Sequence, residues 1–268
     1  MLKHMDMYQR IFSPLARSVL VLFAFAHTQL QADSTLHTYA GFESGYGTYR
    51  FEEKLDHTVV YPVGNLMLGA TYQRFNYSLN LSGSLAVGGV SEESYTGSAS
   101  RQDIDLTIAY QISKGFSAFA GYKFGRSDVH IFNYIPPTPL DNHEFYLQQG
   151  PFLGINYNLN LEAAGKLSFS LAYAALAARN KFIADGDGVA PGELPEFDDY
   201  TGYTSGYSSG YSYSIGWSKS LQGQFIFRTR LRVNHYDQDI RHSGLVFNNI
   251  SEGSTMLMVG ITYIFKNR

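Results

Sequence analysis

Cysteine is absent from the 268 residues of this chain, which excludes a disulfide framework and a thiolate metal site. Charge is scarce: 16% of the residues are charged and the net charge is -3, so nothing suggests a nucleic-acid partner. Beyond residue 32 the chain also lacks any apolar run near the ~20 residues that a membrane-spanning helix needs. Its mean hydropathy of -0.17 still suits membrane-spanning strands, because their alternating apolar and polar residues average out.

The first 32 residues follow the pattern of a secretory signal peptide. A short apolar stretch over 19–26 follows three positive charges, which are Lys3, Arg10 and Arg17. Cleavage is expected after Ala26 or Ala32, which leaves 33–268 as a single domain. A membrane anchor is the alternative, but polar residues from position 27 onward interrupt the apolar run too early for one.

Period-two alternation of apolar and small polar residues predicts β-strands along the mature chain. The predicted strands cover 38–50, 63–72, 77–87, 103–112, 116–124, 153–157, 167–173, 202–217, 225–233 and 255–265. A Gly-Tyr repeat with a period of four, at 202–211, keeps its tyrosines on one face of a strand. We therefore expect an all-β, transmembrane, antiparallel up-and-down β-barrel of about 10 strands, with 8 or 12 as alternatives.

The predicted connections alternate between short and long. Short ones lie near 73–76, 113–115, 158–166 and 218–224, and long ones near 51–62, 88–100, 127–146, 178–204 and 236–254. Aromatic residues on the apolar faces cluster at the strand ends beside the short connections: Tyr72, Tyr77, Tyr110, Phe116, Tyr157, Trp217, Phe225 and Phe265. Short turns, long loops and an aromatic girdle are typical of bacterial outer-membrane barrels, with the long loops outside the cell.

The last predicted strand, Thr255 to Phe265, ends in Tyr-x-Phe and resembles the closing strand of bacterial outer-membrane β-barrel proteins, although a three-residue tail follows it. The resemblance implies export through the periplasm with its chaperones. It also implies insertion by the barrel assembly machinery, with Tyr263 and Phe265 as the assembly signal. The expected surroundings are outer-membrane lipid and lipopolysaccharide. Neither a cofactor nor a metal is expected.

Seven charged residues fall on the small polar faces, which such a barrel turns inward. They are Glu43, Asp103, Asp105, Lys123, Arg228, Arg230 and Arg232. Counting back from a hairpin at 113–115 sets Asp105 opposite Lys123 as a cross-strand ion pair. Two interpretations stay open. The charges form an internal ion-pair network that closes the lumen, or the arginines line a constriction that favours anions.

Catalytic patterns are sparse. Asp103-Ile104-Asp105 and His235-Tyr236-Asp237 resemble the two residue pairs of omptin surface proteases, with the second pair in reversed order. A serine beside His242 suggests a lipid-modifying site only weakly, since strand neighbours face opposite ways. The acidic stretch 185–199 departs from a calcium-binding loop. The expected function is a small porin-like or surface-structural barrel that is not an enzyme. An omptin-like protease and a soluble secreted β-barrel binding protein are the alternatives.

Overall fold

In the computed structural model of this chain, the structure describes residues 36–51, 55–92, 95–133, 140–182, 192, 201–242 and 244–265. The strands are β1 (Leu36–Phe51), β2 (Leu55–Tyr72), β3 (Phe75–Ser84), β4 (Gly88–Glu92), β5 (Tyr95–Ser113), β6 (Phe116–Asn133), β7 (Leu140–Asn160), β8 (Lys166–Phe182), β9 (Gly202–Ser220), β10 (Phe225–His242) and β11 (Leu245–Phe265). One short 3-10 helix, Glu162–Ala164, precedes β8. Among these residues no helix has the length and apolar character to cross a membrane. The predicted signal peptide, 1–32, lies outside the described residues.

Antiparallel pairing joins the strands into one closed barrel. Apart from β3 and β4, each strand pairs with its neighbour in sequence, and β1 closes the circle by pairing with β11 from Thr38 to Phe51. β3 and β4 are two segments of one barrel strand, because both pair with β5. The barrel therefore has ten strands in up-and-down order, which confirms the predicted fold class.

The strands are longer than predicted, and most of the predicted long loops are wrong. Apart from β3 and β4, the strands contain 16–21 residues, and they take up most of the predicted loops at 51–62, 88–100, 127–146 and 236–254. Among the described strands the longest separation in sequence lies between β8 and β9, and most of that segment is outside the described residues. At about 3.3 Å per residue and a tilt near 40°, strands of this length rise roughly 45 Å, well beyond the ~25 Å apolar band of a membrane barrel.

The two ends of the barrel differ. Tight turns at 73–74, 114–115, 161–165 and 221–224 join strands at the end that also holds Thr38 and Phe265. We call this the turn end, and the opposite one the loop end. The predicted hairpin at 113–115 forms here, with Gly115 at a φ of 85°, in the left-handed region that favours glycine.

In the half of the barrel next to the turn end, apolar side chains point outward and small polar ones inward. Leu153 is 66% exposed, Ile108 49% and Val259 45%. We call this outward surface the apolar belt; it includes Leu66, Tyr77, Leu106, Ile108, Tyr110, Leu153, Ile155, Tyr157, Leu171, Ile215, Phe225, Leu257, Val259, Ile261 and Phe265. The tyrosines of the Gly-Tyr repeat also point outward. Exposure of so much connected apolar surface is rare in soluble monomers and marks a surface that meets another apolar phase.

Toward the loop end the polarity of the two faces reverses on strands such as β1 and β10, although Val60, Tyr203 and Tyr207 stay exposed on the outer face. On β1, Tyr49 and Phe51 are buried inside while Arg50 is exposed outside, and on β10 Ile240 is buried while Asp239 is exposed. The buried residues form one cluster, the loop-end core: Tyr49, Phe51, Val59, Tyr61, Val63, Ala99, Val129, Tyr146, Ile240, Ile250, Met256 and Met258. The interior of this half is therefore filled with side chains, the apolar ones of this cluster together with buried polar ones such as Gln148 and Gln238. The reversal breaks the pattern expected of membrane strands, which explains why the sequence reads as loops there.

Candidate functional site

Strand alternation turns all seven predicted lumen charges into the barrel interior. Glu43, Asp103, Asp105 and Lys123 are each at most 4% exposed. The three arginines lie at alternate positions of β10 and keep 17–30% of their side-chain surface exposed. Because an unpaired buried charge is costly, the pairing of these groups determines whether the interior is stable.

One group of charges spans the bore from β5 and β6 to β10. Asp105 lies opposite Lys123, as the hairpin count predicts, with 3.6 Å between Asp105 Oδ1 and Lys123 Nζ. Lys123 Nζ approaches Asp103 Oδ1 more closely, at 2.9 Å. Arg232 reaches across from β10 and donates from Nη1 to Asp105 Oδ2 at 2.6 Å. This ion pair ties two distant strands of the barrel together.

Glu43 on β1 holds a second group. It accepts hydrogen bonds from Arg230 Nη2 at 2.5 Å and from Asn65 Nδ2 at 3.1 Å, while Arg228 Nε stays 3.6 Å from its other oxygen. Gly260 lies between Glu43 and Arg228 in the sheet. A side chain at Gly260 would collide with Glu43, so the glycine leaves the path to Arg228 open.

The sequence reasoning missed a third group, centred on Arg101. Its guanidinium donates twice to Asp103, at 2.9 and 3.0 Å, and once to Glu252 Oε1, at 2.7 Å. Gln148 and Gln238 both donate to the other oxygen of Glu252. Arg101 and Glu252 fall outside the predicted strands, so the sequence analysis assigned neither of them to the interior. For Arg101 the available signal is the inward phase of β5, which it shares with Asp103 and Asp105.

Between the charges and the turn end lies a cavity of about 1120 Å³, which we call the vestibule. Turn residues such as Gln73, Gly115 and Glu162 border it, so it opens at the turn end. Its inner limit is formed by Asp105, Lys123, Arg230, Arg232 and Tyr236. Its wall is mostly hydroxyl and amide, from Asn76, Ser78, Thr107, Ser117, Asn156, Ser168, Ser170, Ser212 and Ser214. The interior thus has an open cavity at one end and is filled with side chains at the other.

The residues that resemble the omptin pairs do not come together. Asp103 and Asp105 lie inside the barrel on β5, where cations hold them, whereas His235 and Asp237 point outward from β10, with 57% and 52% of their side chains exposed. One water cannot contact both pairs, so this geometry offers no shared general base. The serine beside His242 and the acidic stretch 185–199 lie outside the described residues. Within the described ranges no three His, Asp or Glu residues converge as a metal site.

No family model and no curated protein sequence matches this chain. Among solved structures, it is similar to the outer membrane protease OmpT from Escherichia coli at 10% sequence identity, covering 86% of this chain and 96% of that one, with a TM-score of 0.47. It is also similar to the translocator domain of the autotransporter NalP from Neisseria meningitidis, at 14% identity, 98% and 96% coverage and a TM-score of 0.46. The outer membrane protein OprG from Pseudomonas aeruginosa is similar at 12% sequence identity, covering 85% of this chain and 96% of that one, with a TM-score of 0.37. The strand pairing shows the barrel architecture independently of these likenesses.

Proposed function

We propose that this chain is an integral outer-membrane β-barrel of a Gram-negative bacterium, with a surface-structural role and a closed lumen. The supporting observation is the reversal of polarity along the strands. An apolar outside with a polar inside suits a membrane, and a polar outside with an apolar inside suits water. The apolar belt would lie in the bilayer with the turn end in the periplasm. The loop-end half would stand above the membrane, among the sugars of lipopolysaccharide.

The closed lumen follows from two barriers in series. The ion-paired layer around Lys123 and Asp103 crosses the bore, and the loop-end core fills the space beyond it. Ten strands enclose a narrow bore, far from the 16–18 strands that leave an open aqueous channel. A soluble secreted barrel is disfavoured because Leu153 and its neighbours would expose a large apolar surface to water.

In planar lipid bilayers, the refolded protein is expected to give no resolved single-channel openings, because a permeating ion would have to cross a segment filled with side chains. A known open porin recorded in the same lipid is the positive control. The channel interpretation remains the second candidate, because three arginines face the vestibule. It predicts a small anion-biased conductance that falls in Arg230→Ala. Recording such a conductance would overturn the proposal of a closed lumen.

A further inference from the structure

Four cations border the vestibule outside the close ion pairs: Arg74, Lys166, Lys219 and Arg228. Arg230 and Arg232 each have an ion pair of 2.5–2.6 Å, whereas Arg228 Nε is 3.6 Å from Glu43 and Arg228 Nη1 donates to the Met67 sulfur at 3.3 Å. Lys166, at the start of β8, also borders the vestibule. Among the described residues no carboxylate lies within ion-pair distance of the Lys166 ammonium group.

Two of these cations, Lys166 and Arg228, occupy positions two strands apart in one line across the sheet. Lys166 pairs with Ser218 across β8 and β9, and Ser218 pairs with Arg228 across β9 and β10. Strands lie about 4.8 Å apart, so the Cα atoms of Lys166 and Arg228 are roughly 10 Å apart, a span that both side chains can bridge toward one anion. Arginine suits such an anion because its fork of donors matches phosphate oxygens.

The wall around these cations adds a second kind of recognition. Serine hydroxyls and asparagine amides line it, and these groups donate to and accept from the hydroxyl groups of a ligand. Two aromatic rings, Phe119 and Phe152, border the same space, in the room left by Gly154 and Gly121. A ligand site of this composition offers hydrogen bonds, an apolar ring surface and a localised positive charge.

From this arrangement we infer that the vestibule binds a small phosphorylated sugar from the turn-end side, with its phosphate between Arg228 and Lys166 and its hydroxyl groups against the serine and asparagine wall. A free sugar phosphate and the phosphorylated sugar of a lipid headgroup share this chemistry. The volume of about 1120 Å³ accommodates a ligand of one to a few sugar units. This inference depends on the barrel fold and not on the lumen being closed.

Calorimetric titration of the refolded barrel in detergent micelles tests the inference, with glucose 6-phosphate as the probe and glucose and inorganic phosphate as comparisons. Glucose 6-phosphate is expected to bind more tightly than either. Arg228→Gln and Lys166→Gln are each expected to weaken that binding about tenfold or more, as loss of a charge-assisted hydrogen bond does. Lys114→Gln is the matched control, because Lys114 lies in a turn at the same end but does not border the vestibule.

Several results would overturn the proposal of a phosphorylated-sugar site in the vestibule. One is the absence of binding up to about 10 mM glucose 6-phosphate. Others are equal binding of glucose 6-phosphate and inorganic phosphate, or an equal loss in the Lys114→Gln control. Lys166 has no ion-pair partner among the described residues, so its variant keeps the test valid if Arg228→Gln folds poorly. A titration with vesicles containing a phosphorylated glycolipid separates a lipid headgroup from a free ligand. Conductance recorded on the same preparation tests the closed lumen independently.

Discussion

Replacing Arg101 by methionine is expected to lower the free energy of unfolding by about 3–5 kcal/mol, the range for breaking a buried ion pair from one side. Arg101 holds Asp103 with two hydrogen bonds and Glu252 with a third, and its side chain is only 4% exposed. Methionine fills similar space but leaves Glu252 buried without a counter-ion. Urea unfolding in micelles, followed through Trp217, the chain's single tryptophan, measures the change.

The outer surface supplies a closely matched control in Arg126→Met. Arg126 pairs with Asp128 two residues along its strand, as Arg101 pairs with Asp103, and each guanidinium also lies 5.1 Å from an aromatic ring centre. The difference is exposure, since the side chains of Arg126 and Asp128 are 25% and 42% exposed. Exposed pairs contribute about 0–1 kcal/mol, so the control should unfold almost as the wild type does. Equal losses in the two variants would contradict the buried network.

Ile108→Arg is expected to destabilise the barrel in lipid vesicles by about 2–4 kcal/mol, the cost of arginine near the bilayer midplane on the lipid face of a barrel. Ile108 is 49% exposed, so in a soluble barrel the same change would cost no more than about 0.5 kcal/mol. The size of the effect therefore distinguishes lipid from water at this surface. Reversible urea unfolding in vesicles is the measurement.

The control for Ile108→Arg lies on the same strand and the same face. Gln102 is six residues nearer the loop end, beyond the apolar belt, and it is exposed. Gln102→Arg places the charge in water, so its effect should stay within about 0.5 kcal/mol of the wild type. A similar, small effect at both positions would argue against a bilayer around the belt.

The barrel and its strand number could be predicted because the turn-end half obeys one rule throughout. Alternate apolar residues at Tyr77–Leu81 and Leu257–Phe265 take the outward phase, although Leu79 is only 9% exposed and Met258 lies in the interior. A turn with a φ-positive glycine fixes the register of Asp105 against Lys123. Period-two alternation, once anchored by a turn, assigns a face to each residue of the strand. The seven inward charges followed from that assignment.

The loop-end half could not be predicted in the same way because its polarity is reversed. Residues such as Tyr49 and Phe51 alternate with exposed polar ones, but they face the interior. A prediction that places apolar residues on the outer face therefore ends the strand where the polarity reverses and assigns a loop beyond that point. Arg101 and Glu252 lie beyond it and were not predicted to face the interior. Arg101, Asp103 and Asp105 occupy alternate positions and all point inward. Following this alternation, regardless of which residues are apolar, would have extended predicted strand β5 back to Arg101.

The most direct test of the membrane barrel uses the absence of cysteine, since one cysteine can be introduced at a time and labelled with a nitroxide. Leu153→Cys lies on the apolar belt, Asn156→Cys faces the vestibule and His235→Cys lies on the outer face of the loop-end half. In lipid vesicles, the label at 153 should collide mainly with oxygen, and the labels at 156 and 235 mainly with a water-soluble nickel complex. A label at 153 as accessible to the nickel complex as the label at 235 would contradict a lipid-facing belt.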